Sequence, residues 1–285
     1  MKQQLVHVNQ VEIYTESFGN PKDPAVLLIM GAMSSLDWWD EEFCERLAEQ
    51  GRFVIRYDHR DLGESTVYQP GTSNYSITDL ADDAIGVLDA YSIEKAHITG
   101  MSLGGMIGQI MAVRHPDRLL SLCIIASSVF GKEQASLPQM DQSILDYHSK
   151  SASIDWSDRE ASIAYLAEGW NTLSGSKPFE KERMYLLAER EYSRAKQIQS
   201  RFNYVLLGGG EEYLDRMTEL RVPVTIIHGT DDPALPFEHG LALSKAISHS
   251  ELVKLEGTGH EIHKEDWKTI IESIVKVSSS VSHFN

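Results

Sequence analysis

Gly100-Met101-Ser102-Leu103-Gly104 is the stretch that most narrows what this chain can fold into. Ala96-His97-Ile98-Thr99 before it is short, half apolar and compatible with a strand, and Leu103 to His115 after it is apolar almost all round and stopped by Pro116. The pentapeptide therefore sits on a sharp turn between a strand and a buried helix. In that setting G-x-S-x-G reads as a nucleophile elbow, a turn that strains the serine backbone and pushes its hydroxyl out above the sheet. Strand and helix nearly touch at such a turn, so the flanking positions must be small; Gly100, Gly104 and Gly105 meet that demand. The pattern by itself would arise by chance in roughly one chain of this length in ten. Its neighbours and its downstream partners carry the inference.

The rest of the chain alternates between strands and helices. Leu5–Val8 and Val11–Phe18 alternate apolar and polar residues around Asn9-Gln10, the pattern of an antiparallel hairpin. Ala25–Met30 is a continuous apolar run expected of a buried strand, followed by a helix over Leu36–Glu49 and a strand over Phe53–Tyr57. Thr78 or Asp79 is expected to cap a helix running to Tyr91; the elbow strand and helix and a strand at Leu119–Ala126 follow. From about Val129 to Thr218 no strand is legible. Helices are expected there over Met140–Ser149, Asp158–Asn171, Phe179–Arg201 and Glu211–Glu219. Strand Val222–His228, helix Phe237–Ile247, strand Glu251–Leu255 and helix Lys264–Val277 resume the alternation, and the tail Ser278–His283 is expected to fray. The pattern predicts an α/β fold, a mostly parallel central sheet with helices on both faces. Residues 1–129 and 219–285 would form this core, and 130–218 an inserted helical cap.

In an open parallel sheet, ligands bind beyond the carboxyl ends of the strands, which directs attention to four loops. Ser102 could serve merely as a helix cap, and as a nucleophile it needs a neighbouring base. Gly229-Thr230-Asp231-Asp232-Pro233 follows a strand and offers a carboxylate to orient a histidine. Asp232 is favoured over Asp231 because the proline after it holds it extended. Gly257-Thr258-Gly259-His260 follows the last strand and supplies His260 as general base. His263 is a rival, but at the start of the last helix it is expected to point to solvent, while His228 ends a strand close enough to support the site. Met30-Gly31-Ala32 can present a backbone amide to a developing oxyanion, and the amide after the nucleophile, Leu103, is the second donor. Gly31, Met33, Trp38 and Trp170 are candidates for the pocket lining. Aromatic residues recurring through 130–218 point to helix packing and, for some of them, to an apolar pocket for a cyclic substrate.

Composition bounds the partners. A net charge of −16 argues against nucleic acid and anionic membrane surfaces, which select basic patches. Cys44 and Cys123 are too far apart and too few for a disulfide framework and read as buried thiols. No run of 18 apolar residues occurs, and the first residues lack a signal-peptide pattern, so a cytoplasmic protein is expected. No heptad pattern or long exposed apolar helix argues for an obligate partner, and the oligomeric state is not legible.

The order Ser102, Asp232, His260, each after a strand, is that of α/β-hydrolases and differs from those of chymotrypsin and subtilisin. With Gly100–Gly104, Gly229–Asp232, Gly257–His260 and the loop Asp58-His59-Arg60-Asp61-Leu62-Gly63-Glu64-Ser65, the sequence resembles the α/β-hydrolase fold serine hydrolases over essentially its whole length. Ile29-Met30-Gly31 followed by Arg56–Asp61 resembles the aclacinomycin methylesterase group of carboxylesterases. The resemblance implies Ala32 and Leu103 as oxyanion donors, a small-molecule ester as substrate, and no metal or organic cofactor. There are two departures: Met30 stands where the common signature has histidine, and Asp61 where many members have glycine. The same three residues would also serve a thioesterase, amidase, lactonase, carbon–carbon bond hydrolase or perhydrolase, or a small-molecule receptor with slow turnover.

Overall fold

The computed structural model describes residues 1–72, 74–213 and 215–279. Strands β1 (Lys2–Val8), β2 (Val11–Phe18), β3 (Ala25–Ile29), β4 (Phe53–Tyr57), β5 (Ala96–Met101), β6 (Leu119–Ile125), β7 (Val224–Gly229) and β8 (Glu251–Leu255) form one sheet in the order β1-β2-β4-β3-β5-β6-β7-β8. β2 runs antiparallel to both β1 and β4, and every other pairing is parallel. The strands from β4 across to β7 are buried along their whole length except at Leu120 of β6, which is half-buried, and this explains their near-continuous apolar runs.

The helices are α1 (Glu41–Ala48), α2 (Ile77–Ala90), α3 (Leu103–Arg114), α4 (Gln142–Ser149), α5 (Arg159–Leu173), α6 (Lys181–Arg194), α7 (Glu238–Ala246) and α8 (Trp267–Ser279). Successive side chains of β3 go to opposite faces of the sheet. Leu27 and Ile29 join a core with Leu80 and Leu88 of α2, Ile107 and Ile110 of α3 and Leu243 of α7. Val26 and Leu28 face Phe43 and Leu47 of α1 and Trp267 and Ile270 of α8. This second core continues without a break into Trp156, Leu166, Trp170 and Met184, so the chain between β6 and β7 is packed onto the sheet layer. That connection holds α4, α5, α6 and several short turns, and no strand among the described residues.

Several elements depart from the sequence expectation, each for a local reason. The helix expected over Leu36–Glu49 is a 3-10 turn, Leu36–Trp38, and then α1, because Asp40 starts a new helix by accepting the Glu42 amide at 2.9 Å. α2 is capped by Ser76, not by Thr78 or Asp79; Asp79 completes a capping box with it. α6 stops at Arg194, and a 3-10 segment, Ile198–Leu206, takes over after the Lys196 amide bonds to Gly63 O at 3.0 Å. The helix expected over Glu211–Glu219 is two 3-10 turns, Glu211–Tyr213 and Met217–Glu219, separated by Asp215 in the left-handed region at φ 62°. Ser278 and Ser279 close α8, and the rest of the tail expected to fray lies outside the described residues.

Asp61, where many α/β-hydrolases have glycine, has φ 67°. Aspartate tolerates that region better than most side chains. Its carboxylate is also held there by the Tyr68 amide at 2.6 Å, the Tyr75 hydroxyl at 2.8 Å and the Asn203 side chain at 2.9 Å. Cys44 and Cys123 are buried free thiols, and burial pushes Cys44 up to about 12. Among the described residues no helix is long and apolar enough to cross a membrane.

Candidate active site

The turn between β5 and α3 places Ser102 at φ 52°, ψ −119°, a conformation uncommon outside glycine. It is held by backbone bonds. The Ser102 amide donates to Ile125 O at 2.9 Å, and its carbonyl accepts the Ser127 hydroxyl at 2.7 Å. The close approach of strand and helix is measurable: a Cβ added to Gly104 would lie 2.1 Å from Ile29 O, and one on Gly100 2.1 Å from Gly104 O. Both obstacles are backbone and cannot rotate away. Gly104→Ala is therefore expected to lower unfolding stability by about 3–5 kcal/mol in urea titration. A loss under about 1 kcal/mol would show that the turn can open.

β7 and β8 end side by side, and their loops lock together. The Asp231 amide donates to Thr258 O at 3.1 Å, and the His260 amide to Leu173 O at the end of α5 at 2.7 Å. A Cβ on Gly259 would lie 2.2 Å from that Leu173 oxygen. The loops bring His260 Nδ1 within 2.8 Å of Asp232 Oδ2. The other Asp232 oxygen accepts the Ala234 and Leu235 amides at 2.9 and 2.8 Å. Burial pushes the Asp232 carboxyl up, but His260, His228 and the Leu235 amide outweigh it and hold the group below the ordinary carboxylate range. With an ionised Asp232 as acceptor, Nδ1 of His260 carries the proton, and Nε2 is left as the basic nitrogen. Asp231 is exposed and accepts the Thr230 hydroxyl at 3.0 Å, and hydrogen bonding from Ser176 and Thr230 holds its carboxyl below the ordinary range.

The other histidines are placed differently. His228 lies under the site with Nε2 bonded to Leu235 O at 2.7 Å and 3.5 Å from Asp232 Oδ2. Burial holds it below the ordinary histidine range, against the opposing pull of Asp232 and the Leu235 carbonyl. His263 does not face solvent as expected. It is buried, bonds Pro178 O through Nε2 at 3.1 Å and accepts the Glu265 amide at 3.3 Å, because it caps a 3-10 turn, Lys264–Asp266, ahead of α8. His59 bonds Met30 O at 3.1 Å, and burial pushes it down to about 4.

A cavity of about 370 Å³ opens above the carboxyl ends of the strands. Gly31, Ala32, Met33, Met101, Ser102 and His260 form its floor. Ile144 and Tyr147 of α4, Tyr165, Leu166 and Trp170 of α5, and Arg201 and Phe202 form much of its walls. The structure thus gathers Ser102, His260, Ala32, Gly31, Met33 and Trp170 around one space, with Asp232 behind His260. Leu103 is the first residue of α3; its side chain packs in the core, and its amide belongs to the unpaired first turn of the helix. Trp38 is outside the lining. Its ring lies behind Trp170, centroids 4.5 Å apart, and its indole N–H is drawn away to Glu191 at 2.9 Å. Tyr147, Tyr165 and Phe202 are among the aromatic residues of 130–218 of which some are expected to line a pocket, whereas Ile144 and Arg201 were not legible as pocket residues, because their pattern reports only a buried face. Among the described residues no group of three or more His, Cys, Asp or Glu side chains is placed to hold a metal ion.

A family model described as the alpha/beta hydrolase fold matches residues 24–266. The chain belongs to the α/β-hydrolase fold family. Among its curated relatives are rhodomycin D methylesterase DauP of Streptomyces sp. strain C5 and DnrP of Streptomyces peucetius. Each is 32% identical over 282 residues, 92% of this chain and 93% of the relative. Among solved structures, the esterase RhEst1 from Rhodococcus sp. ECU1013 superposes with a TM-score of 0.77, at 21% identity over 100% of both chains. This α/β-hydrolase thus shares its fold with the esterase, and its similarity to the two methylesterases runs over nearly the whole chain.

Proposed function

We propose that this α/β-hydrolase cleaves carboxylic esters by two-step acyl transfer to water. Ser102 attacks the carbonyl while His260 Nε2 takes its proton, and Asp232 holds the imidazole tautomer and stabilises the imidazolium. The Ala32 and Leu103 amides receive the oxyanion, an interaction usually worth about 2.7–4 kcal/mol per donor. His260 then protonates the leaving alcohol and activates water for deacylation. The observation that carries this reading is the 2.8 Å bond from His260 to a buried Asp232, beside the cavity that Ser102 also lines.

The same reading makes residues 130–218 a cap that supplies the cavity walls and selects the substrate. Apolar and aromatic walls with a small polar floor favour an apolar acyl group. Two relatives named methylesterases over nearly the whole chain favour a methyl ester, with the bulk of the substrate on the acyl side. The test is a panel graded separately by acyl group and alcohol. The methyl ester of a fused-ring aromatic acid is expected to surpass its octyl ester in kcat/KM by roughly tenfold or more. Fluorophosphonate labelling should fall on Ser102, with multiple turnover on esters. Labelling without turnover would replace the esterase with a receptor, and preference for thioesters or lactones would move the reaction class.

A further inference from the structure

The loop between β3 and the Leu36–Trp38 turn carries Ala32, the proposed oxyanion donor, yet its own sequence does little to hold it in place. Gly31 lies so close to the nucleophile that an added Cβ would be 3.2 Å from Ser102 Cβ. Met33 has φ 61°, a region costly for a side chain of its size. Met30 O is tied to His59 at 3.1 Å, and the Leu36 amide to Asp58 at 2.9 Å. Between these anchors, among the described residues, the long-range hydrogen bonds come from the insertion. Glu191 of α6 accepts the Ser35 amide at 2.9 Å, and Arg201 donates to Met33 O. The two side chains also meet each other at 3.4 Å, and Glu191 accepts the Trp38 indole at 2.9 Å.

Both side chains are costly to bury, at 1% and 8% exposure. Other pairs dock α6. Arg190 reaches Asp37 at 2.6 Å, and Arg194 reaches Asp37 and Asp58 at 2.5 Å each. What Glu191 and Arg201 add is two bonds to the backbone on either side of Ser34, one to a carbonyl and one to an amide. We infer that Glu191 and Arg201 are positioning residues for the oxyanion loop: they hold residues 31–35 so that the Ala32 amide faces the carbonyl oxygen above Ser102. Polarisation of the ester is thereby coupled to the seating of the helical insertion. The inference rests on the assignment of Ser102 and Ala32 proposed above.

The test compares a trifluoromethyl ketone, which forms a tetrahedral adduct with a serine nucleophile, with the matching methyl ketone, which binds without stable addition. Arg201→Met is expected to lower kcat for p-nitrophenyl acetate by about 10- to 100-fold, with KM changed by less than about threefold. It should weaken the trifluoromethyl ketone by a similar factor, leave methyl ketone affinity within about twofold, and be partly rescued in Arg201→Lys. Glu191→Met, which keeps much of the side-chain volume but has no oxygen to accept the Ser35 amide, should give the same pattern and carries the test if Arg201→Met does not fold. Unchanged kcat and unchanged trifluoromethyl ketone binding in a folded variant overturn the inference. Equal weakening of both ketones also overturns it, because the pair would then shape only the pocket. If the trifluoromethyl ketone fails to inhibit the wild-type protein in preference to the methyl ketone, the failure lies with the Ser102 assignment itself.

Discussion

Ser102→Ala is expected to yield a folded protein that has lost about 10⁴-fold or more of its ester turnover. The loss is chemical, because Ser102 sits at the elbow, while the other serine that lines the cavity, Ser34, gives its hydroxyl to Ala32 O at 3.2 Å. The fold should survive, because the bonds that hold the elbow run through the Ser102 backbone: its amide to Ile125 O and its carbonyl to the Ser127 hydroxyl. Alanine meets the same backbone strain at φ 52° that serine already bears. Turnover of p-nitrophenyl esters and the thermal midpoint, expected to shift by less than about 3 °C, check the two halves separately. Wild-type turnover in the variant would remove Ser102 from the mechanism.

The second large effect separates two adjacent aspartates. Asp232→Asn keeps the shape but can no longer fix the His260 tautomer, and about 10⁴-fold in kcat is expected to go with it. Asp231→Asn, at an exposed side chain bonded to Thr230 and Ser176 and not to His260, should cost about twofold at most, the scale of a surface change within 0.5 kcal/mol. Steady-state kinetics on one ester suffices. A larger loss at Asp231 than at Asp232 would move the acid by one residue.

Much of the architecture was legible because its causes are local. Buried parallel strands must be apolar on both faces, so Ala25–Ile29, Phe53–Tyr57 and Val224–Gly229 stand out as runs. The aspartate expected beside His260, the one before Pro233, is the one that bonds it, and Pro233 constrains only the residue before it. Where the reading failed, a distant partner had overridden the local pattern. The Lys196 amide goes to Gly63, so α6 ends before the apolar spacing does. His263 looks like a surface residue at a helix start, yet Pro178 O covers it. Trp38 looks like a pocket residue beside Gly31, but Glu191, 153 positions further along the chain, takes its indole N–H.

The sequence alone determined the sheet, the elbow and the succession of serine, aspartate and histidine at strand ends. Each depends on sterics within a few residues: apolar alternation, glycine where backbones touch, proline after the acid. Only the tertiary structure decided which side chains of 130–218 wall the cavity and which of them reach down to the Met30–Ser35 loop. Arg201 and Glu191 carry no mark in the local pattern that sets them apart from the charged residues around them on a half-apolar helical face. Their partners lie more than 150 residues earlier in the chain, and such pairings are set by how the helices pack, which the spacing of apolar residues does not encode.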